Sequence, residues 1–483
     1  MRLNIDGHSF LYEVENIVRL FYPGEKLDLT PENADISTIM KQDCENVYLK
    51  AVAFGKDAEK TFTQGLGEQE YEFALCTLLF RLLCEKTGIK PPWGILTGVR
   101  PVRLVHPLFE AGLTDDEIVE HFLEKYQTES AKARLAVQTA REEQIILAEN
   151  DCSTFSLYIG IPFCPTRCLY CSFVSQAVQQ ANKLMPEFTE LLKRELEQLA
   201  EIVRECGLRL QTVYIGGGTP TTLSAAQLAE IMRTVQDSFD LSNLCEYTVE
   251  AGRPDTLLGD EGREKLAVIK ALGADRVSIN PQTMNDEVLS KIGRAHTAAQ
   301  TLDAYKLARE AGFAIINMDT IAGLPGDSPE SFMNTMKQVI ALEPENVTVH
   351  TLTIKRSSDL RDEPNAFEQG GCNISALLDE GREQLFAAGY SPYYLYRQKG
   401  TRQNLENVGY TKPGFASRYN VYIMEEVHTI LAAGAGGVTK LCLPPNEIKR
   451  VFNFKYPHEY ISRFDEIAAR KAAVRSFYER YKR

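Results

Sequence analysis

The sequence predicts an α/β fold: a partial (β/α)6 barrel, with an α+β domain before it and a smaller domain after it. Two observations carry this. From about residue 154 to 360, short β-rich apolar runs alternate with long amphipathic helical stretches, the pattern of βαβ units on a parallel sheet. The residues that end those runs are nearly all polar or glycine, as they are where a β/α barrel presents its active site. A doubly wound open sheet is the structural alternative.

The strand runs are "FSLYIG", "TVYIGG", "EYTVEA", "RVSIN", "AIINMDTI" and "NVTVHTL". Between them the spacing predicts helices over 186–205, 224–239, 260–272, 299–311 and 329–342, with Ser224 as the N-cap of the second. Taken strand by strand, the C-terminal ends deliver a cysteine loop, Gly216-Gly217-Gly218-Thr219, Glu250, Gln282, Asp319 and His350. Residues 1–153 read as a separate α+β domain without recognisable chemistry. It has a strand in "ENVYLKAVAFG", a helix in "QEYEFALCTLLFRLLCEKTG" closed by Gly88, a Pro- and Gly-broken connection in "PPWGILTGVRPVRLVHPLF", and helices over roughly 114–126 and 129–149. The barrel is expected over 154–360. After it the rhythm stops, and the aromatic, Gly-rich 361–483 is expected to cover the barrel's open side and to end in a surface helix of alternating charge.

A chain of 483 residues with 44% hydrophobic and 25% charged residues is globular, with room for two or three domains. A net charge of −13 gives no footprint for nucleic acid. The N-terminal "MRLNIDGHSFLYEVEN" carries acids where a signal peptide needs an apolar core, and no run of 18 apolar residues occurs, so no membrane span and a cytoplasmic location are expected. Eleven cysteines, an odd number, argue against a disulfide framework. Eight of them, Cys44, Cys76, Cys84, Cys152, Cys206, Cys245, Cys372 and Cys442, are expected to serve as small buried hydrophobes.

The other three, Cys164, Cys168 and Cys171 in "YIGIPFCPTRCLYCSF", fall within one Pro-rich loop. A structural zinc site would need a fourth ligand, and no Cys or His follows within the next thirty residues. A CxxC redox pair is formally present in Cys168 and Cys171, yet the extra cysteine and the Pro-rich loop do not suit it. Three thiolates at spacings of four and three suit a [4Fe–4S] cube with one iron left open to a further ligand.

The motif CxxxCxxC after a first barrel strand resembles the radical S-adenosylmethionine (SAM) enzymes, in which the open iron chelates the amino and carboxylate groups of SAM. With "GGGTPT" it resembles the branch of the oxygen-independent coproporphyrinogen III dehydrogenases and their heme-chaperone relatives. The layout with "PPWGILTGVRPVR" and "NVGYTKPG" resembles the HemZ-type dehydrogenases of that branch. The resemblance implies a radical SAM barrel, a [4Fe–4S] cluster on Cys164, Cys168 and Cys171, and SAM held by Tyr158, Tyr170, Gly217, Gly218, Thr219, Glu250, Gln282, Arg294 and Asp319. It assigns no catalytic residue beyond these.

The activity it implies is hydrogen abstraction from the propionates of coproporphyrinogen III by a 5′-deoxyadenosyl radical, then decarboxylation to protoporphyrinogen IX in heme and porphyrin biosynthesis. An electron-donor protein such as flavodoxin or ferredoxin is the implied partner. The substrate's carboxylates call for cations near the rim, for which Lys355, Arg356, Arg397 and Lys399 are placed by position. Two positions depart from the dehydrogenase pattern: Phe173 stands where a fourth cysteine is usual, and Gly160 where the first strand usually has a histidine. The heme chaperones share "CSF", so a heme-binding chaperone is the second reading, with His296, His350 and His428 as candidate ligands.

Overall fold

The computed structural model describes residues 1–30, 32–171, 175–355, 358–362, 373–398, 401–443 and 447–480. Phe173, Arg356, Cys372 and Lys399 therefore lie outside the described residues. The chain divides into two compact units, Met1–Val137 with Arg397–Leu405, and Gln138–Tyr396 with Glu406–Arg483.

The first unit is α+β. Its sheet runs in the order Asp28–Leu29, Arg2–Asp6, Ile36–Gln42, Asn46–Ala53, Lys56–Thr63, the first three parallel and the rest antiparallel. Phe54 and Gly55, both at positive φ, make the tight two-residue turn that joins the last two strands. Helices Leu11–Phe21 and Glu68–Thr87 pack Val14, Ile17, Val18, Leu75, Leu79 and Leu83 against Ile36, Leu49 and Ala51 of the sheet. Gly88, at φ 71, ends the second helix as expected.

The second unit is built on one eleven-stranded sheet. Its strands are β1 (Thr154–Ile161), β2 (Arg209–Gly217), β3 (Glu246–Glu250), β4 (Arg276–Ser278), β5 (Ile315–Ala322), β6 (Asn346–Thr351), β7 (Ser391–Arg397), β8 (Glu406–Thr411), β9 (Thr429–Gly434), β10 (Val438–Leu443) and β11 (Glu447–Phe452). β1 to β6 lie side by side in chain order and all parallel, the partial (β/α)6 barrel predicted. They are buried on both faces, as parallel strands between helices and a filled interior must be. The crossover helices are Met185–Cys206, Ala225–Ser238, Gly259–Ala271, Ala298–Glu310 and Pro329–Ala341. Ser224 and Gln227 form the capping box of the second, and Thr297 and Gln300 that of the fourth.

The expected boundary at 360 is corrected here. The chain after it extends the barrel sheet at both edges instead of forming a unit of its own: β8 pairs antiparallel with β6, and β9 pairs parallel with β1. The physical reason is the exposed ladder at each edge of an open barrel, which strands from the C-terminal part satisfy. The boundary at 153 moves as well, to 137/138, and Arg397–Leu405 joins the first unit.

Between β8 and β9 the chain passes beneath the N-terminal ends of the barrel strands. The Phe415 carbonyl accepts from Arg276 and Asn346, and Glu246 accepts from Ser417 Oγ at 2.7 Å and Arg418 N at 2.8 Å. The C-terminal helix Phe464–Glu479 is half-buried, with Ile467, Val474 and Phe477 turned inward. Cys44, Cys152 and Cys245 are exposed thiols, whereas Cys76 and Cys442 are buried as expected. Among the described residues no helix is long and apolar enough to cross a membrane.

Candidate active site

Cys164, Cys168 and Cys171 lie on the loop that follows β1. The loop is fastened from three directions. Leu169 N donates to the Ile292 carbonyl at 3.0 Å, Thr166 Oγ1 donates to the Gly293 carbonyl at 3.0 Å, and Ser358 Oγ donates to the Leu169 carbonyl at 2.8 Å. Leu169 and Tyr170 pack on an apolar cluster of Val288, Leu289, Ile292, Ile321, Leu324, Leu352 and Leu360. Cys171 N donates to the Cys168 carbonyl at 3.0 Å, which turns the chain between the last two thiols.

The glycine segment at the end of β2 lies against this loop's approach. Gly218 N donates to the Ile161 carbonyl and Thr219 N to the Phe163 carbonyl, each at 2.7 Å. Gly217 sits at φ 109, and a Cβ on Gly218 would fall 2.5 Å from the Phe163 carbonyl oxygen. One close partner of these glycines is therefore the backbone entering the cysteine loop. Thr219 Oγ1 donates to Cys164 Sγ at 3.5 Å, and burial raises that thiol above its ordinary pKa.

Glu250, the last residue of β3, accepts from Tyr214 Oη at 2.5 Å. Burial pushes its carboxyl up to about 7, against the Tyr214 hydrogen bond and with the nearby Asp319 charge. Tyr214 stacks on Tyr419 with ring centroids 4.4 Å apart, and Tyr158, its register partner on β1, completes a stack of three. Asp319 on β5 accepts from Asn317 Nδ2 at 2.8 Å and has His350 Nε2 at 3.7 Å. Burial alone would raise Asp319, but His350, Asn317 and Thr348 hold it below the usual carboxylate value.

Arg294 is buried. Its Nε donates to Tyr170 Oη at 3.2 Å, and Nη1 donates to the carbonyls of Gly252 at 3.0 Å and Asn280 at 2.7 Å, so it ties the exits of β3 and β4 to the cysteine loop. Gln282 holds a left-handed φ of 67 and pairs its backbone with β5. Its side-chain oxygen is buried with no hydrogen-bond partner.

The structure thus sets Gly218 and Thr219 against the cysteine loop and bonds Arg294 to Tyr170 within it, with Gly217 at the end of β2, Glu250 at the end of β3, Gln282 after β4, and Tyr158 and Asp319 within β1 and β5. Of the proposed carboxylate ligands, Arg397 is not available. It is buried in the first unit, where it donates to the Leu96 and Asn404 carbonyls and lies over the Trp93 ring. Lys355 is half-buried near Cys171. Of the three histidines, the His296 side chain is fully buried and pushed down to about 3 by burial and by Arg294 and Arg253. His428 is buried against Tyr422 and bonded to Asn150, which leaves His350, 27% exposed, as the reachable one.

Sequence reasoning missed Tyr214, Tyr419, Asn280 and Arg253. The tyrosines carried no motif and meet only through the sheet topology. Gly160 has a structural reason: a Cβ there would lie 2.9 Å from the Ala435 carbonyl and 3.3 Å from Tyr158, so no histidine fits.

The donor set fits the group that the sequence implied. Three soft thiols on one loop, spaced by four and three residues, are donors of the kind that hold an iron–sulfur cluster. Two carboxylates, an orphaned buried amide oxygen and a guanidinium beside them suit a zwitterionic, cationic ligand.

The radical SAM superfamily profile matches residues 158–339. Over 476 residues, 95% of this chain and 94% of the relative, the chain is 35% identical to the "oxygen-independent coproporphyrinogen-III oxidase-like protein HemZ" of Bacillus subtilis. It is 28% identical to the heme chaperone HemW of Haemophilus influenzae over 63% of this chain and 75% of that one, and 31% identical to the HemW of Bacillus subtilis over 58% and 70%. Among solved structures, coproporphyrinogen III oxidase (HemN) of Escherichia coli, described as a radical SAM enzyme, superposes with a TM-score of 0.51 at 22% identity, covering 68% of this chain and 73% of that one. That likeness shows the fold. The cofactors are those of the superfamily, a [4Fe–4S] cluster and SAM. The chain belongs to the radical SAM superfamily, in the branch of the coproporphyrinogen-III oxidase-like protein HemZ.

Proposed function

We propose that this protein converts coproporphyrinogen III to protoporphyrinogen IX without oxygen: each of two propionate side chains gives a hydrogen atom to the SAM-derived radical, passes one electron to a one-electron acceptor, and loses CO2 to leave a vinyl group. The observation that carries the reading is the reach of the likeness to HemZ: it runs along 95% of this chain and takes in the first unit, whereas the two HemW relatives above reach 63% and 58% of it.

When bound, the cluster and SAM together supply a 5′-deoxyadenosyl radical that abstracts hydrogen. The chain's own residues prepare the place for it. Cys164, Cys168 and Cys171 hold the iron, and Thr219 and the glycines keep the loop close to the end of β2. Glu250 and Asp319 offer negative charge to the sulfonium and acceptors to the ribose, and the orphaned Gln282 oxygen offers an acceptor to an N–H donor. Arg294 already spends Nε and Nη1 on the protein, so its part is to hold Tyr170 and the two strand ends in place. The stack of Tyr158, Tyr214 and Tyr419 fills the barrel interior below Glu250 and keeps water from it.

A heme-binding chaperone is the second reading, favoured by the HemW likeness and by the reachable His350. Anaerobic incubation of the cluster-loaded protein with SAM, a reductant and coproporphyrinogen III separates the two. Protoporphyrinogen formation supports the decarboxylase. SAM cleavage without turnover, together with stoichiometric heme binding that His350→Ala abolishes, supports the chaperone.

A further inference from the structure

Arg253, in the loop after β3, is 3% exposed, and every arm of its guanidinium is used. Nη1 donates to Cys168 Sγ at 3.7 Å and to the Thr166 carbonyl at 3.1 Å; Nη2 donates to Thr166 Oγ1 at 2.9 Å. Nε and Nη2 meet the two oxygens of Asp255 at 3.1 and 3.3 Å. We propose that Arg253 is a positioning residue of the iron–sulfur site. It fixes the cysteine loop through Thr166 and raises the reduction potential of the cluster through its hydrogen bond to the Cys168 sulfur.

Hydrogen bonds to the sulfurs, together with burial and nearby charge, set the potential of such clusters. Reduction adds one negative charge to the cluster, and a desolvated cation in contact with one of its sulfurs stabilises that state more than the oxidised one. Arg294 also lies near Cys168, but its Nε and Nη1 bonds go to Tyr170 and two backbone carbonyls. Arg253 is thus the cation seen donating to that sulfur. Asp255 orients the guanidinium, and Asp255 in turn has His296 Nδ1 at 3.8 Å. Thr166 passes the constraint on, since its hydroxyl also donates to the Gly293 carbonyl. A buried Arg–Asp pair is often structural only, and that role would leave the potential of an intact cluster unchanged.

The test is a redox titration of the cluster-loaded full-length protein, followed by the electron paramagnetic resonance signal of the reduced cluster, for the wild type, Arg253→Gln and Arg253→Lys. At a fixed poise Arg253→Gln should hold about tenfold less reduced cluster, a midpoint lowered by about 59 mV for one electron. Arg253→Lys, which keeps the charge but not the fork, should fall between it and the wild type. If Arg253→Gln does not retain iron, Arg253→Lys alone decides, and it must still lie below the wild type. A wild-type midpoint in either cluster-bearing variant overturns the proposal. A wild type that binds no iron would instead overturn the cluster assignment.

Discussion

Glu195, on the outer helix Met185–Cys206, is fully buried, Glu250, at the rim of the barrel, is part-buried, and their surroundings differ in kind. Glu195 is fully buried and accepts from Gly434 N and Asn453 Nδ2 at 2.8 Å and from Tyr460 Oη at 2.7 Å, with Lys471 Nζ at 3.0 Å. A matched cation and three neutral donors tie the outer helix to β9 and the C-terminal helices. Glu250 has two neutral donors, the Tyr214 hydroxyl and the Gly217 backbone N–H, and the like charge of Asp319 nearby. The flank spends its acceptors on holding the fold. The rim leaves a carboxylate under-neutralised, as a site awaiting a cationic ligand would.

The comparison can be broken most sharply at the cysteines. Alanine at Cys164, Cys168 or Cys171 should abolish the iron–sulfur absorbance and SAM cleavage while the thermal transition persists. Absorbance equal to wild type in any of the three removes that residue from the cluster.

Next comes the flank. Lys471→Met leaves Glu195 as an uncompensated buried charge and should cost about 3–5 kcal/mol in chemical denaturation. A change below 1 kcal/mol would mean that the Lys471–Glu195 pair adds little to the fold.

Glu250→Gln should show the opposite behaviour. Because the folded carboxyl is raised to about 7 from 4.5, the stability it contributes is fully present below about 4.5 and is lost as the pH climbs through about 7. Glutamine stays neutral, so the variant should gain on the wild type in melting temperature at pH 8 and match it near pH 4. Wild-type SAM affinity, measured calorimetrically, should weaken as the pH falls below about 7 and should be flatter in Glu250→Gln. Parallel pH profiles would remove Glu250 from the SAM contacts.

The smallest effect is expected away from both regions. Ser224→Ala removes the cap of helix Ala225–Ser238 and should cost about 1 kcal/mol without altering SAM binding.

Much of the barrel was legible because its chemistry is local. Alternation of apolar runs and amphipathic helices marked β1 to β6 and their crossovers to within a few residues, and Gly88 and Ser224 marked helix ends. What stayed hidden depends on contacts between residues far apart in sequence. Nothing near Tyr419 announces that it stacks on Tyr214, 205 residues earlier (419 minus 214). Arg253 is a lone arginine in "EAGRPD" until the fold carries it to Cys168, 85 residues away. Sheet edges cannot be read from periodicity, so the strands after 360 read as a third domain in the sequence, and the pairings of β8 with β6 and β9 with β1 place them. Cys44, Cys152 and Cys245 were expected inside, and composition alone could not show that their positions are exposed.

The central claim is that a SAM-derived radical generated at this rim acts on coproporphyrinogen III. The most direct measurement is product analysis after strictly anaerobic turnover of the cluster-loaded protein with SAM, reductant and that substrate. The account predicts protoporphyrinogen together with one 5′-deoxyadenosine for each propionate lost. Formation of 5′-deoxyadenosine with the substrate recovered unchanged would contradict it.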